Sequence, residues 1–303
     1  MSEGKETAKC RVDLHIHSNC SGDGEYSPRE LMVLCRNAGI EVAALADHNT
    51  VRGVGEALEW AGRLGLKLIP AVELDCTFQG VDLHLLGYGI DPANPAFAEV
   101  ERNVLDQERQ ASRKRIALVG GQGIAVDAEE VMRLAPEGVA AGELIAELAL
   151  LDERNADNPL LRPYRPGGPR SDNPYVNFYW DFCAQGKPAY VPIRYPGLDE
   201  AVRLVRGSGG VAVLAHPGNN TRENETLLRG IATQGIDGME VYSSYHSPAQ
   251  TVFYRELTTE LRLRATCGSD FHGKTKPSIA LGSVGCEGRE SEILSGLPDG
   301  KPS

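Results

Sequence analysis

His15 and His17, in the segment Arg11-Val12-Asp13-Leu14-His15-Ile16-His17, have the type and spacing that can hold a metal ion. Side chains of a strand alternate between faces, so the two imidazoles point the same way, roughly 7 Å apart along the backbone. Alone, such a pair would read first as polar residues on a solvated edge strand. It is not alone. The chain has seven histidines, and His48, His84, His216, His246 and His272 each follow or sit within an apolar run. Together with Asp23, Glu73 and Asp270, the residues His15, His17, His48, His84, His216 and His272 form a set without cysteine. That donor set suits manganese, iron or zinc in a catalytic site rather than a closed structural zinc site. One ion cannot use so many ligands, so two or three divalent ions with open water positions are expected. Glu73 can bridge two ions through its two oxygens. Such a cluster lowers the pKa of bound water and clamps phosphoryl oxygens, which implies hydrolysis of a phosphate ester.

These residues need strands to carry them. Val42 to Ala46, Leu68 to Val72 and Val211 to Ala215 are continuous apolar runs, the pattern of strands buried on both faces. Val81 to Leu86, Asp237 to Tyr242 and Arg264 to Gly268 complete, with the first segment, seven predicted strands. Helices are expected between them. Ser27-Pro28-Arg29-Glu30 is a capping box, and Gly39 is the expected left-handed stop of the helix it opens. Further helices are predicted over 53 to 64, 198 to 206, 226 to 233 and 248 to 261. The metal-type residues fall at strand ends or just beyond, the active face of a β/α barrel.

From Pro92 to about Pro192 the pattern changes to a charged helix near Ala98 to Val119, shorter helices around Ala128 and Glu143, and a stretch from Asp152 to Tyr179 rich in Pro, Asn, Arg and Tyr. That composition is typical of ordered loop, and a loop of that length usually binds something. The expected organisation is a barrel of residues 10–91 and 186–285 with an inserted, mainly helical and loop-rich cap subdomain of residues 92–185. The tail beyond Gly282 gives no strong signal.

Among the weaker members, Asp23 lies in Ser21-Gly22-Asp23-Gly24, which alone would be a turn. Glu240 either orients a ligand or only hydrogen-bonds the barrel. Asp13 shares the face of the two first histidines, as a ligand's partner or as a plain buried hydrogen-bond acceptor. Cys20, Cys35, Cys76 and Cys267 read as small core residues.

With 303 residues the chain can build one large core or two modest ones. A net charge of -11 argues against a nucleic-acid scaffold, which needs a basic surface. Seven cysteines without a Cys-x-x-Cys pair read as reduced thiols, and hence a cytoplasmic protein. Met1 to Lys9 has no apolar core for a signal peptide, and no run is long enough to span a membrane.

Asp13-Leu14-His15-Ile16-His17-Ser18, Ala46-Asp47-His48-Asn49-Thr50, Val72-Glu73, Leu83-His84, Leu214-Ala215-His216-Pro217 and Gly268-Ser269-Asp270-Phe271-His272-Gly273 together resemble the motifs of the polymerase and histidinol phosphatase (PHP) superfamily. The resemblance spans about 12 to 90 and 186 to 282. It implies a distorted (β/α)7 TIM-like barrel and a trinuclear centre, with manganese ahead of zinc or iron. It would place His15, His17, Glu73 and Asp270 on the first ion; Glu73, His84 and His216 on the second; and Asp23, His48 and His272 on the third.

Within that superfamily the chain is similar to the branch acting on small phosphorylated molecules. There the insertion usually carries a Gly-Arg-x-His-like motif, whereas here Ala141-Gly142-Glu143-Leu144 stands in its place. A glutamate in place of a cation disfavours nucleotide monophosphates. Arg154, Arg162, Arg165, Arg170 and Arg194 are candidates to replace the charge, and Arg194 follows Tyr190-Val191-Pro192 where the family has a basic residue. The expected substrate is a sugar cyclic phosphate, cleaved as diester and then as monoester, with a nucleotide phosphatase as the alternative. Catalysis is expected to involve Glu73 and Asp270, with Arg194 on the phosphoryl group. His246, the histidine that the ligand set leaves over, is expected either to protonate the leaving oxygen or to be a surface loop residue. Arg154 and Arg165 are further substrate-binding candidates. Two other classes compete: a noncatalytic metal-binding module of the same fold, and an amidohydrolase, which often bridges its metals with a carboxylated lysine rather than a glutamate. The oligomeric state is open at this level.

Overall fold

The apolar runs become strands because each is short, rich in Val, Leu, Ile and Ala, and closed by a turn. The computed structural model describes residues 11–298, so the polar segment Met1 to Lys9, with its signal-peptide reading, lies outside the described residues. Seven strands form one sheet in chain order: β1 (Val12–Ile16), β2 (Val42–Leu45), β3 (Lys67–Phe78), β4 (Val81–Tyr88), β5 (Val211–Leu214), β6 (Gly238–Ser243) and β7 (Arg264–Gly268). The sheet is a nearly closed barrel. A bridge between Ile16, the last residue of β1, and Phe271, just beyond β7, joins the first strand to the last. The amide of His17 donates to the Phe271 carbonyl at 3.0 Å, and that of Asp270 to the His15 carbonyl at 2.7 Å.

The expectation of helices between the strands is corrected at one place: β3 and β4 are joined directly, and β4 is antiparallel to both β3 and β5. Only Gln79 and Gly80 separate β3 from β4, both with positive φ (51° and 79°). Two such residues make the tight turn whose twist matches a hairpin, and no helix fits between. His84 therefore reaches the active face from the first half of its strand, where the other strands use their C-terminal ends. β3 also runs past Glu73 to Phe78, longer than the sequence suggests, because the hairpin extends it.

Helices cover the outside. α1 (Pro28–Ala38) has the capping box of Ser27 and Glu30 and ends at Gly39 with φ 82°, as expected. α2 (Val54–Leu64) follows β2. After β4 come α3 (Pro95–Gly121), α4 (Ala128–Leu134), α5 (Gly142–Leu151), the short α6 (Pro174–Phe178) and a π-helical turn, Tyr179–Cys183. Phe97 at the start of α3 packs on the barrel core. Ile116 and Val119 near its end join Val131, Ile145, Ala149 and Phe178 in a separate apolar cluster. The chain then returns through α7 (Leu198–Gly207), the single turn α8 (Pro217–Asn220), α9 (Glu225–Ala232) and α10 (Pro248–Leu261) to β7, and closes with α11 (Glu290–Leu294) in the tail. Among the described residues no helix is long and apolar enough to cross a membrane. Cys35, Cys76 and Cys267 are buried as expected, but Cys20 is half-buried and lines the cavity described below.

The proline-rich stretch is ordered by its own polar side chains. Buried Asn155 donates to the carbonyls of Ala125 and Ala149 and accepts from the Ala125 amide. Arg170 forks onto Asp181 at 3.0 and 3.1 Å, and Tyr164 donates to the same carboxylate at 2.7 Å.

Candidate metal centre

Leu14 and Ile16 pack into the core, so strand alternation turns His15 and His17 together into the barrel mouth, ring centroids 5.0 Å apart. Their Nε2 atoms lie 3.1 and 3.2 Å from Oε2 of Glu73. Fully buried Glu73 is the centre of the arrangement. His48 Nδ1 approaches the same oxygen at 3.2 Å, while His84 Nδ1 and His216 Nε2 lie 2.9 and 3.1 Å from Oε1. Asp270 Oδ1, beyond β7, is 3.1 Å from His17 and 3.4 Å from His15. Asp23 arrives on a loop shaped by Asp47, which accepts from the Ser18 amide and from the hydroxyls of Ser18 and Ser21. Its Oδ2 lies 3.1 Å from His272 Nε2 and 3.8 Å from His48 Nε2.

Ligand-type atoms thus lie within 4.8 Å of one another in the groups His15, His17, Glu73 and Asp270; Glu73, His84 and His216; and His17, Asp23, His48 and His272. Every metal-ligand candidate named from the sequence is in one of these groups. A further group, His48, Asp75 and His84, adds Asp75, which sequence reading missed. Asp75 follows Glu73 by two on β3, and only the unexpected length of that strand carries it to the site.

The donor set fits divalent cations. His17 Nε2, Asp23 Oδ1, His48 Nδ1, Asp270 Oδ1 and His272 Nε2 are buried with no hydrogen-bond partner among the described residues. Converging buried lone pairs are costly unless a positive charge lies among them. Burial opposes ionisation of Glu73, but His15, His48 and His84 outweigh it and hold the carboxyl well below its usual range. Burial and the neighbouring His272 and His48 push His17 down to about 3. Bound metal ions would take the place of the shared protons.

Other residues fix the ligands. Glu240 lies 3.0 Å from His15 Nδ1 and accepts from the His216 amide at 2.9 Å, so of its two expected roles it has the orienting one. Gly268 lets them meet, since a Cβ there would stand 2.2 Å from His15 Cβ. His272 donates from Nδ1 to the Asp270 carbonyl at 2.9 Å, which turns Nε2 toward Asp23. Asp13 accepts from Ser269 and from the Gly282 amide, tying β1 to the chain after β7. His216 and Asp270 both have positive φ (20° and 60°), strain of the kind that clusters at functional sites.

A cavity of about 660 Å³ opens beside the cluster, walled by His48 and His84 from the barrel and by Glu143, Tyr179 and Trp180 from the insertion. Three arginine expectations are corrected here. Val191 and Ile193 are buried, so alternation turns Arg194 outward, where Gln107 holds its backbone. Arg154 is exposed and clasped by Asp152. Arg165 donates to the carbonyls of Leu150 and Asn155 and scaffolds the loop. A cation that reaches the cluster itself is Lys276, buried, with Nζ 2.5 Å from Asp270 Oδ2. Tyr245 donates to the same oxygen at 2.6 Å. Nothing in the sequence singled out Lys276 beyond its place four residues after His272.

His246 is also corrected. Its Nδ1 donates to the Val241 carbonyl at 2.9 Å and its Nε2 accepts from the Gly218 amide at 3.1 Å. Burial lowers its pKa. A neutral ring with both nitrogens engaged by backbone has no proton to offer. His246→Asn is therefore expected to leave unchanged the ratio of rates on alkyl and nitrophenyl phosphate esters. A selective loss on the alkyl ester would restore the proton-donor role.

Comparison with known proteins agrees with this geometry. A PHP domain is recognised over residues 13–135. A 3',5'-nucleoside bisphosphate phosphatase of Chromobacterium violaceum is 30% identical over 86% of this chain and 87% of its own. The chain belongs to the PHP family. Other relatives in the family are a 5'-3' exoribonuclease of Haemophilus influenzae, 27% identical over 86% of this chain and 90% of its own, and a phosphoribosyl 1,2-cyclic phosphate 1,2-diphosphodiesterase of Eggerthella lenta, 29% identical over 86% and 94%. A solved PHP-like neighbour, described as a metal-dependent phosphoesterase from Bifidobacterium adolescentis, superposes with a TM-score of 0.72 at 28% identity, covering 94% of this chain and 95% of that one.

Proposed function

We propose that this PHP protein hydrolyses a small sugar cyclic phosphate, opening the diester and then removing the monoester, with three divalent ions, manganese first among them. The broader statement rests on family membership and the cluster: the chain is a metal-dependent hydrolase of phosphate ester bonds. The narrower one is carried by the charges of the cavity wall. Two of its arginines are paired, Arg115 to Glu108 at 2.8 Å and Arg52 to Glu101 at 2.6 Å, while the exposed Arg222 and Lys187 stand on its wall without an ion pair among the described residues. Asp75, Asp82 and Glu143 face the same space, and burial with the Asp23 charge pushes Glu143 up to about 7. Asp75 and Asp82 disfavour a second phosphate beside them, while Glu143, partly neutral near pH 7, exchanges hydrogen bonds with sugar hydroxyls.

His15, His17, Glu73 and Asp270 would hold one ion, Glu73, His84 and His216 a second, and Asp23, His48 and His272 a third. Bound there, divalent ions supply an activated water and neutralise phosphoryl charge. The chain's own work is to keep these ligands in place through Glu240 and Asp47, and to present the Lys276 ammonium to a phosphoryl oxygen. Residues 92–185 act as the cap that selects the substrate, contributing Glu143, Tyr179 and Trp180. The free thiols of Cys20, Cys35, Cys76 and Cys183 support the cytoplasm as its compartment.

A second reading, nucleotide hydrolysis, is favoured by the rings of Tyr179, Trp180, Tyr190 and Tyr195 on the wall, on which a base can stack. Phosphate release with manganese supplied, measured on sugar cyclic phosphates, sugar monophosphates and nucleoside mono- and bisphosphates, together with nucleotide release from a short RNA, separates the two. The highest kcat/KM is expected on a sugar cyclic phosphate. A clear preference for nucleotides or RNA would replace the first reading by the second, and release from none of them would remove both.

A further inference from the structure

A second cavity, of about 850 Å³, lies between the end of β6, the start of α10 and the chain after β7. It is separate from the cavity over the metal cluster, although Val176, Trp180 and Asn219 line both. Its charged side chains are already engaged. Arg170 is forked onto Asp181, Glu287 takes Arg255 at 2.6 Å, and Asp172 accepts from Asn177 at 2.8 Å. His246, on the same wall, has both ring nitrogens bonded to backbone.

Ser243 and Ser244 stand on the wall of this space, and their hydroxyls are buried with no hydrogen-bond partner among the described residues. Ser243 is only 6% exposed. A buried hydroxyl without a partner is rare and calls for an occupant that pairs with it. Asp172, the carboxylate of this wall without an ionic partner among the described residues, repels anions and accepts hydrogen bonds, and together with two adjacent hydroxyls and the Trp180 indole it matches a ring that carries hydroxyls of its own. Tyr245, also on this wall, has its ring 5.6 Å from that of His216 and donates to Asp270. An occupant would therefore lie against a residue bonded to the metal cluster.

We propose that this cavity is a binding site for an uncharged sugar ring, recognised by Ser243 and Ser244 and stacked on Trp180. The occupant's role, as the dephosphorylated product or the unreacted part of the substrate, rests on the function proposed above; the binding itself does not.

The test uses fluorescence of the full-length, metal-free chain. The chain has two tryptophans, and Trp60 lies on α2 between Arg29 and Arg63, so Trp60→Phe leaves Trp180 as the reporter. Ribose is expected to give a saturable change. The double replacement Ser243→Ala, Ser244→Ala should raise its midpoint by about tenfold, for two neutral hydrogen bonds lost. Ser244→Leu, which fills the space, should abolish it, and Ser243→Ala alone guards against misfolding of the larger changes. The proposal is overturned by no response to ribose, by a midpoint that all three variants leave unchanged, by a response to inorganic phosphate instead, or by a response to nucleosides without one to ribose. Should ribose bind in this serine-dependent way while the manganese-loaded chain releases phosphate from no ester, the sugar site stands and the phosphoesterase reading falls.

Discussion

Glu73→Gln is expected to lower kcat/KM by roughly 10³-fold, the loss of several kcal/mol of charge stabilisation. Oε1 of Glu73 lies within 3.1 Å of two imidazole nitrogens and Oε2 within 3.2 Å of three. An amide of the same shape offers one oxygen and turns an NH2 group, which cannot bind a cation, toward the other set. Elemental analysis after growth with excess manganese should show fewer ions per chain than in the unaltered protein, and added manganese should restore little activity. If Glu73→Gln keeps both the metal content and the rate, Glu73 does not bridge and the ligand scheme built around it is wrong.

The second large effect is expected for Lys276→Met. Lys276 is buried against Asp270, beside Tyr245, and opens onto the cavity over the metal cluster. Removing a positioned donor from developing phosphoryl charge costs on the order of 10² to 10³ in rate. Metal content should persist, because Asp270 keeps its other oxygen for His15 and His17. Arg194→Ala, measured alongside, should behave as the unaltered protein because that side chain points away from the site. A rate unchanged by Lys276→Met, or a loss with Arg194→Ala, would reverse the assignment of the phosphate-binding cation.

Burial was legible in the sequence, and direction was not. The run Val81 to Leu86 announces a strand because it is apolar, but apolarity is the same whichever way the strand runs. The inversion of β4 is encoded in two residues, Gln79 and Gly80, that carry no familiar hairpin signature. The histidines could be read because each stands where a buried run meets polar residues, and a strand end fixes where its next side chain points. The arginines of the insertion could not. In an irregular segment side-chain direction depends on contacts such as those of Asn155 and Asp181, which join residues far apart in the chain. Lys276 was invisible for the same reason: what distinguishes it is Asp270 at 2.5 Å, a neighbour made by a turn.

The closure of the barrel by its first and last strands has a consequence for biosynthesis. His15 and His17 leave the ribosome near the beginning, Asp270 and His272 near the end. At ordinary rates of synthesis the two pairs are separated by on the order of 10 to 50 s. Throughout that interval β1 has no β7 to pair with. The groups that join His15 and His17 to Asp270, and His17, Asp23 and His48 to His272, are therefore completed only when the last strand arrives.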